Sequence, residues 1–465
     1  MHIKRFTRDY SRRHFLAQMG KGILTTGVLA PLWPTLANTG EHTKAYPDEL
    51  LSLDAYTGGK ISEGQTINAS NVEYVRDILD PIQVVQIEQL GRELQTMPQT
   101  RDIYRLNPHD YIEATLRHQG RARFAEDGNV VTDDGEPWIG GNPFPDPKSG
   151  IEVFAGHTLS WGRHDVSMYV VEETDLDPEG QVAYNYEAVW VEYQATGRIT
   201  LDPKPYQKKH KKKLRFQTIV FMTPADFAGT SFLNIWPYDQ NKFPELHGYL
   251  PAFKRVRRFP TNQRFEPLIA GNTLYLSDAW AAGDPFLTWG NYRIVHRGPY
   301  LAPVADTWNH ERENWRHGTH GGVDGDTFWD TTAQLVPEAI VVEAEPVKYP
   351  RAPVSKKRVW FDARTLTPFA MVSYDRRGEI FKSFDGAFSL YDLGGKQVPN
   401  GNHPYWSWTR VHAFNVQTNR MTRLAQVEEI SRGYKMRVND QSLYNKFLTV
   451  SALRRLGDEA PQRRP

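Results

Sequence analysis

Four cations crowd the five residues Lys254-Arg255-Val256-Arg257-Arg258. In an extended strand alternate side chains face opposite ways, so Arg255 and Arg257 share a face with Phe253 and Phe259. Val256 then lies on the other face between Lys254 and Arg258. Two guanidinium groups among aromatic rings suit a carboxylate or phosphate headgroup. A solvated edge strand would present the same letters. The aromatics Phe216, Phe221, Phe232, Trp236, Tyr275, Trp280, Trp289 and Tyr292 surround this run in sequence and have the bulk to line a cavity. Arg255, Arg257, Arg258, Phe253, Trp236, Trp280 and Trp289 are therefore the expected ligand contacts.

A second group of candidates is His317, His320, Asp324 and Asp326, in a Gly-rich segment that also holds His310 and Asp330. These are the residue types of a zinc or calcium site. Their spacing matches neither HExxH nor a calcium loop, and a polar loop has the same composition. No metal ligand is assigned. The lysines of Lys208–Lys213 (KKHKKK) form a basic knob at a hairpin tip, suited to an anionic surface or simply to water. Asp133-Asp134 and Glu172-Glu173 are paired acids at expected turns and strand ends, and nothing places either pair in a cleft. There is no phosphate-binding Gly-rich loop and no nucleophile elbow. Catalysis is not expected, and no cofactor is implied.

The elements that must position these groups are mostly strands. Ser70-Asn71-Val72-Glu73 reads as a capping box opening a helix through Val72, Val75, Ile78 and Leu79. Asp80-Pro81 stops it and starts a second helix with Ile87, Leu90 and Leu94 on one face. Asn107-Pro108 starts a third, lined by Ile112, Thr115 and Leu116. From Arg121 to about residue 420 strand follows strand. Runs at 166–171, 181–194, 358–362, 369–374, 379–384 and 406–415 alternate or are broken by turn residues. Asp375-Arg376-Arg377-Gly378 is a hairpin loop. Residues 302–350 look irregular, and Thr449–Arg455 closes the chain as a short helix. Leu214–Arg297 supplies the middle strands. The fold class is mainly β (α+β): a large curved antiparallel sheet, or incomplete β-barrel, with N-terminal helices packed on it.

The chain has 465 residues, of which 12% are aromatic. The first 37 residues take six of the 56 basic side chains and one of the 55 acidic ones, so the remainder is mildly acidic and offers no case for nucleic-acid binding. Ser11-Arg12-Arg13-His14-Phe15-Leu16 is similar to a twin-arginine export motif, with Ala17-Gln18 where lysine is usual. The apolar stretch from Gly22 to Trp33 is too short to span a bilayer, and Thr35-Leu36-Ala37 suits signal-peptidase cleavage. The chain contains no cysteine, which excludes disulfides, a lipobox anchor and thiol catalysis. The expected organisation is a signal peptide at 1–37, a lead-in with helices at 38–120, a half-barrel at 121–457 and a disordered tail at 458–465. The expected location is the periplasm, in solution or peripheral to the outer membrane.

Several runs, in order, resemble a bacterial domain-of-unknown-function family (number 1329) of outer-membrane lipoprotein-sorting proteins. They are Asn71-Val72-Glu73 with Ile78-Leu79-Asp80-Pro81, Asn142-Pro143-Phe144-Pro145-Asp146-Pro147, and Arg255-Val256-Arg257-Arg258 with Pro260. Arg358-Val359-Trp360-Phe361-Asp362, Tyr374-Asp375-Arg376-Arg377-Gly378 and Leu453-Arg454-Arg455-Leu456-Gly457 complete the match. The family is similar in fold to the LolA and LolB lipoprotein carriers, open half-barrels with helices across the mouth. The resemblance implies a periplasmic carrier of a lipid or other hydrophobic small molecule. It also implies partners: an inner-membrane pump of the resistance–nodulation–division type and an outer-membrane protein. It brings no catalytic residues. The twin-arginine motif departs from many envelope carriers and implies folding before export. An exported metal-dependent hydrolase using His317–Asp326 is the alternative from another class. A docking protein with a solid interior is a third.

Overall fold

The computed structural model describes residues 37–38, 40, 46, 50–260, 264–308, 330–391 and 403–459. Helix α1 (Pro81–Leu90) begins at the expected boundary. The Asp80 carboxylate accepts from the backbone N–H of Ile82 at 2.9 Å and of Gln83 at 3.0 Å, satisfying two of the free donors of the first turn. It ends at Gly91 in the left-handed region, φ 75°. Leu94 therefore leaves the helix and enters strand β1 (Glu93–Met97), contrary to the sequence reading. The capping box at Ser70 is also overturned. The Ser70 hydroxyl donates to Asn68 Oδ1 at 2.6 Å, and residues 72–78 form two 3₁₀ turns. Helix α2 (His109–His118) follows Pro108 and buries Ile112 and Thr115.

Helix α3 (Gly150–Leu159) has no counterpart among the sequence expectations. It is buried on nearly every side, so it lacks the one-sided period that reveals a surface helix. The strands after it are β2 (Val166–Leu176), β3 (Val182–Gln194), β4 (Lys213–Thr223), β5 (Ser231–Pro237), β6 (Glu245–Leu250) and β7 (Arg255–Phe259). Then come β8 (Gly290–Ala302), β9 (Asp330–Glu345), β10 (Val354–Asp362), β11 (Pro368–Asp375), β12 (Ile380–Tyr391), β13 (Tyr405–Asn415) and β14 (Arg420–Val427). Helix α4 (Val450–Asp458) closes the described chain.

These strands pair antiparallel in the order β7–β6–β5–β4–β3–β2–β14–β13–β12–β11–β10–β9–β8. Two parallel pairings make the sheet mixed: β1 runs beside the start of β9, and Val304–Trp308 beside the end of β12. Among the described residues β7 pairs with β6 and β8 with β9, and no pairing joins β7 to β8, so the sheet is large and open and forms no closed barrel, as the pattern of strands and turns predicts. The hairpin at Asp375–Gly378 is present, with Asp375 Oδ1 accepting from the N–H of Arg377 and Glu379. Two placements differ. Leu214–Phe259 forms one end of the sheet, with β7 at its edge, not the middle. Residues 330–345, read as irregular, are a strand.

Register divides the sheet into two faces. On the outer face α1 packs with Ile82 against Val341, Trp360, Val372 and Phe414. The C-terminal helices cover the outer side of β3–β6, where Tyr444 meets Tyr193 and Phe216 at 5.0 and 5.4 Å between ring centres. A Cβ on Gly457 would stand 2.0 Å from the ring of Tyr249, so only glycine lets α4 sit this close. On the inner face lie α3 and a strap, residues 264–289, that crosses the sheet between β7 and β8.

Candidate functional site

The strap reads as strand in sequence because apolar residues recur in it. The structure instead uses those residues to face the sheet. Leu268, Leu274, Leu276 and Ala279 of the strap lie over Ile219, Phe221, Phe232 and Leu246 of β4–β6 and Leu424 of β14. Between the two layers is a pocket of about 820 Å³, measured out to its mouth. Trp161, Trp190 and Trp236 also line it.

Buried charges fix the strap, one pair within it and two lysines reaching it from the inner face of the sheet. Arg264 and Asp284, each 2% exposed, pair across the strap's own base. Asp284 also accepts from the Ser277 hydroxyl and from Trp289 Nε1 at 2.9 Å. Burial alone would raise the Asp284 carboxyl. The Arg264 and Lys357 charges and these hydrogen bonds outweigh it and hold the group below its usual range. Lys382 pairs with Asp278 and donates to the Thr273 carbonyl at 2.9 Å. Burial depresses both Lys357 and Lys382 to about 8.

The strap is left-handed at Trp280 (φ 52°) and Ala281 (φ 60°), a conformation that costs an L-residue about 1–2 kcal/mol. Each of those two carbonyls accepts a hydrogen bond from the inner face. His157 Nε2 of α3 reaches Trp280 O at 2.8 Å, and Lys357 Nζ reaches Ala281 O at 2.9 Å. A carbonyl only accepts, so Nε2 carries the His157 proton. Burial pushes that imidazole down to about 3, so the ring is neutral.

Few polar groups line the pocket. Glu173, at an inner-face position of β2, accepts from Asn272 Nδ2 of the strap at 2.9 Å. Burial, then the neighbouring Asp175 carboxyl, holds Glu173 well above the carboxylate range. Burial pushes Asp175 up to about 7. Arg215 stacks between Trp161 and Trp236, 4.6 and 4.7 Å from the ring centres, and burial lowers it to about 9.

The residues expected from sequence separate into groups. Trp236 lines the pocket, as do Phe221, Phe232 and Tyr275. Trp280 lines a smaller neighbouring cavity with Trp161, Trp406 and Trp408. Trp289 is buried and bonded to Asp284, Phe216 lies on the outer face, and Tyr292 packs on Phe154 of α3. Arg255, Arg257 and Arg258 sit on the exposed edge strand β7 and are not in the pocket wall. Arg257 pairs in register with Gly248, which pairs with Phe232, so Arg255 and Arg257 do share the pocket's face of the sheet. Arg257 stacks on Phe253 at 4.2 Å, and Phe253 is half exposed. Arg258 faces outward beside Glu245.

The segment His317–Asp326 lies outside the described residues. Among the described residues no cluster of His, Asp or Glu has the makings of a metal site. Asp134 caps its own turn by accepting from Thr132. Glu173, read from sequence as half of a Glu172-Glu173 pair with no cleft around it, lies instead in the pocket lining, on the face of its strand that it shares with Val171 and Asp175.

A family model described as a protein of unknown function, DUF1329, matches residues 66–454. The uncharacterized protein PA3922 of Pseudomonas aeruginosa is 27% identical over 411 residues, covering 84% of this chain and 81% of that protein. Among solved structures, a putative outer membrane lipoprotein-sorting protein domain from Vibrio parahaemolyticus is similar at 17% identity and a TM-score of 0.41, over 66% of this chain and 98% of that one. A DUF1329 family protein from Desulfovibrio piger is similar at 15% identity and a TM-score of 0.42, over 65% and 97%.

Proposed function

The chain belongs to the DUF1329 family, and from that premise we propose that it is a periplasmic carrier of a lipid or other hydrophobic molecule. The observation that supports this is the concave, mostly apolar pocket between strap and sheet, the kind of lining small-molecule sites have. Each buried methylene contributes about 0.8 kcal/mol. A chain of about fourteen carbons thus offers on the order of 11 kcal/mol gross, before the cost of ordering it. No reactive group is needed to hold such a cargo.

The finer reading concerns transfer. The cargo passes between an inner-membrane pump of the resistance–nodulation–division type and an outer-membrane protein, after export through the twin-arginine motif. Arg255, Arg257 and Arg258, with Phe253, form a basic, aromatic rim at the free edge of the sheet, on which an acidic headgroup or partner surface docks during loading. Extraction of the protein isolated from its own cell envelope, followed by mass spectrometry of the extract, tests the carrier reading. Co-purifying lipid is the expected result. A protein that carries none and does not bind the neutral fluorescent probe N-phenyl-1-naphthylamine would contradict it.

A further inference from the structure

We propose that the outer face of the sheet, between the loop ahead of β4 and the C-terminal helices, docks on an anionic bilayer. This surface lies on the side of the sheet away from the pocket, so it stands apart from the carrier reading. The lysine run 208–213 does not hang free as a hairpin tip. Lys208–His210 form one 3₁₀ turn, and His210 folds that turn onto the outer face. Its ring centre lies 5.0 Å from that of Phe216, and its Nε2 is hydrogen-bonded to Tyr444 Oη at 2.8 Å. Tyr444 belongs to the short helix Leu443–Phe447. Lys209 Nζ stands 6.0 Å from the centre of the same tyrosine ring. Beyond that helix α4 extends the surface, where Arg455 donates to the carbonyls of Asn445 and Lys446, each at 3.1 Å. In the other direction Lys213 and Arg258 of β7 both reach Glu245, at 3.2 and 4.0 Å. Cations thus succeed one another from α4 across the loop to the sheet edge.

Five of these charges lack an acid. Glu136 takes Lys211, Glu245 takes Lys213, and Asp458 takes Arg454. Lys208, Lys209, Lys212, Lys446 and Arg455 are exposed and have no acidic partner among the described residues. Unpaired cations gathered in this way repel one another, and an opposed layer of negative charge relieves the repulsion. Their chemistry points to lipid and not to protein. Four of the five are lysines, compact and strongly hydrated point charges, which are depleted in protein interfaces. A protein partner takes hold through aromatic or arginine anchors in buried pockets. The aromatic here, Tyr444, is already packed on Tyr193 and Phe216 and bonded to His210. A bilayer of anionic phospholipid requires only positive charge spread over an area.

Co-sedimentation of the full protein with mixed phosphatidylglycerol–phosphatidylcholine vesicles at low salt tests this, with pure phosphatidylcholine vesicles as the neutral comparison. The natural chain should bind the first and not the second, and high salt should release it. Each cation held near such a surface tightens binding about fivefold. The variant Lys208→Ser/Lys209→Ser/Lys212→Ser should therefore bind about a hundredfold more weakly, and Lys446→Ser/Arg455→Ser roughly twenty-five-fold more weakly. Both variants change exposed side chains, so both should keep the natural unfolding midpoint and the natural affinity for N-phenyl-1-naphthylamine. Loss of vesicle binding with probe binding intact supports the inference. Undiminished sedimentation of the two folded variants overturns it, as does equal binding to neutral vesicles. A natural chain that binds neither kind of vesicle also overturns it, and that is the result a protein-docking surface would give. Absence of probe binding with vesicle binding kept would sink the carrier reading alone. Should one variant fail to fold, the other and the natural chain's lipid preference still decide.

Discussion

Replacing Asp284 by asparagine should loosen the strap while leaving the sheet intact. The carboxylate meets Arg264, Ser277 and Trp289 directly and lies in the field of Lys357. Asparagine keeps one acceptor oxygen but removes the charge, leaving Arg264 buried at 2% exposure without a counter-ion. Breaking one side of a buried ion pair costs about 3–5 kcal/mol. Lys357 relieves part of the cost by losing its proton, since it already sits near 8; arginine has no such escape. A loss of about 4 kcal/mol corresponds to roughly three decades in the opening equilibrium. Hydrogen exchange read by mass spectrometry localises it. Amides of 264–289 should exchange up to about a thousandfold faster, and those of β10–β12 should keep their protection. The double variant Asp284→Leu/Arg264→Met should recover most of the protection, because an apolar pair needs no counter-charge. A single variant that exchanges like the natural protein, or a double variant as loose as the single one, would refute the view that this ion pair holds the strap.

Three further outcomes follow from the same geometry. Glu173 is raised in the folded state, so its favourable contribution is present at acid pH and lost as pH rises from the ordinary carboxylate range through its raised folded value. Glu173→Gln keeps the Asn272 hydrogen bond and should be more stable than the natural chain at pH 8 but equal to it at pH 4; equal urea midpoints at both would show that the carboxyl is not strained. His157 is depressed to about 3, so its contribution is present above the imidazole's ordinary 6.5 and lost as pH falls. At pH 4.5 the natural chain should have lost about 2.7 kcal/mol more than His157→Gln, at about 1.36 kcal/mol per unit, and parallel urea curves for the two would contradict this. Replacing Arg255, Arg257 and Arg258 together by serine should leave the unfolding midpoint unchanged and reduce co-sedimentation with phosphatidylglycerol vesicles at low salt. Undiminished sedimentation would mean that these side chains only solvate an edge.

Sequence reasoning reached the sheet because most strands announce themselves by apolar runs between turn residues, as at Asp375–Gly378. It failed where tertiary pairing replaces pattern. Strand β9 carries Gln334, Glu338 and Glu343, which look like loop residues until their partners are known. Glu338 pairs with Arg297 at 3.3 Å, and Glu343 gathers Arg293, Lys356 and Arg358 within 3.0 Å. Helix α3 failed in the opposite sense, being apolar all round. The site was half legible. Trp236 and its aromatic neighbours came from composition and spacing, and the arginine run was correctly placed on a strand whose alternate residues share the pocket's face. Nothing in the linear order shows that residues 264–289 fold back over β4–β6, because the anchors come from β10, β12 and α3, which lie far away in the chain. Glu173 becomes conspicuous only when the strap covers it.

The central claim is that an apolar molecule occupies the space beneath the strap. Native mass spectrometry of the protein released from its own cell envelope tests it most directly, with the natural chain compared with Ile219→Trp, which fills the pocket from the wall of β4. The natural protein should show a bound small molecule that collisional activation removes, and the folded Ile219→Trp variant should show the bare chain. A natural protein that is bare, or a variant that carries the same adduct, would contradict the claim.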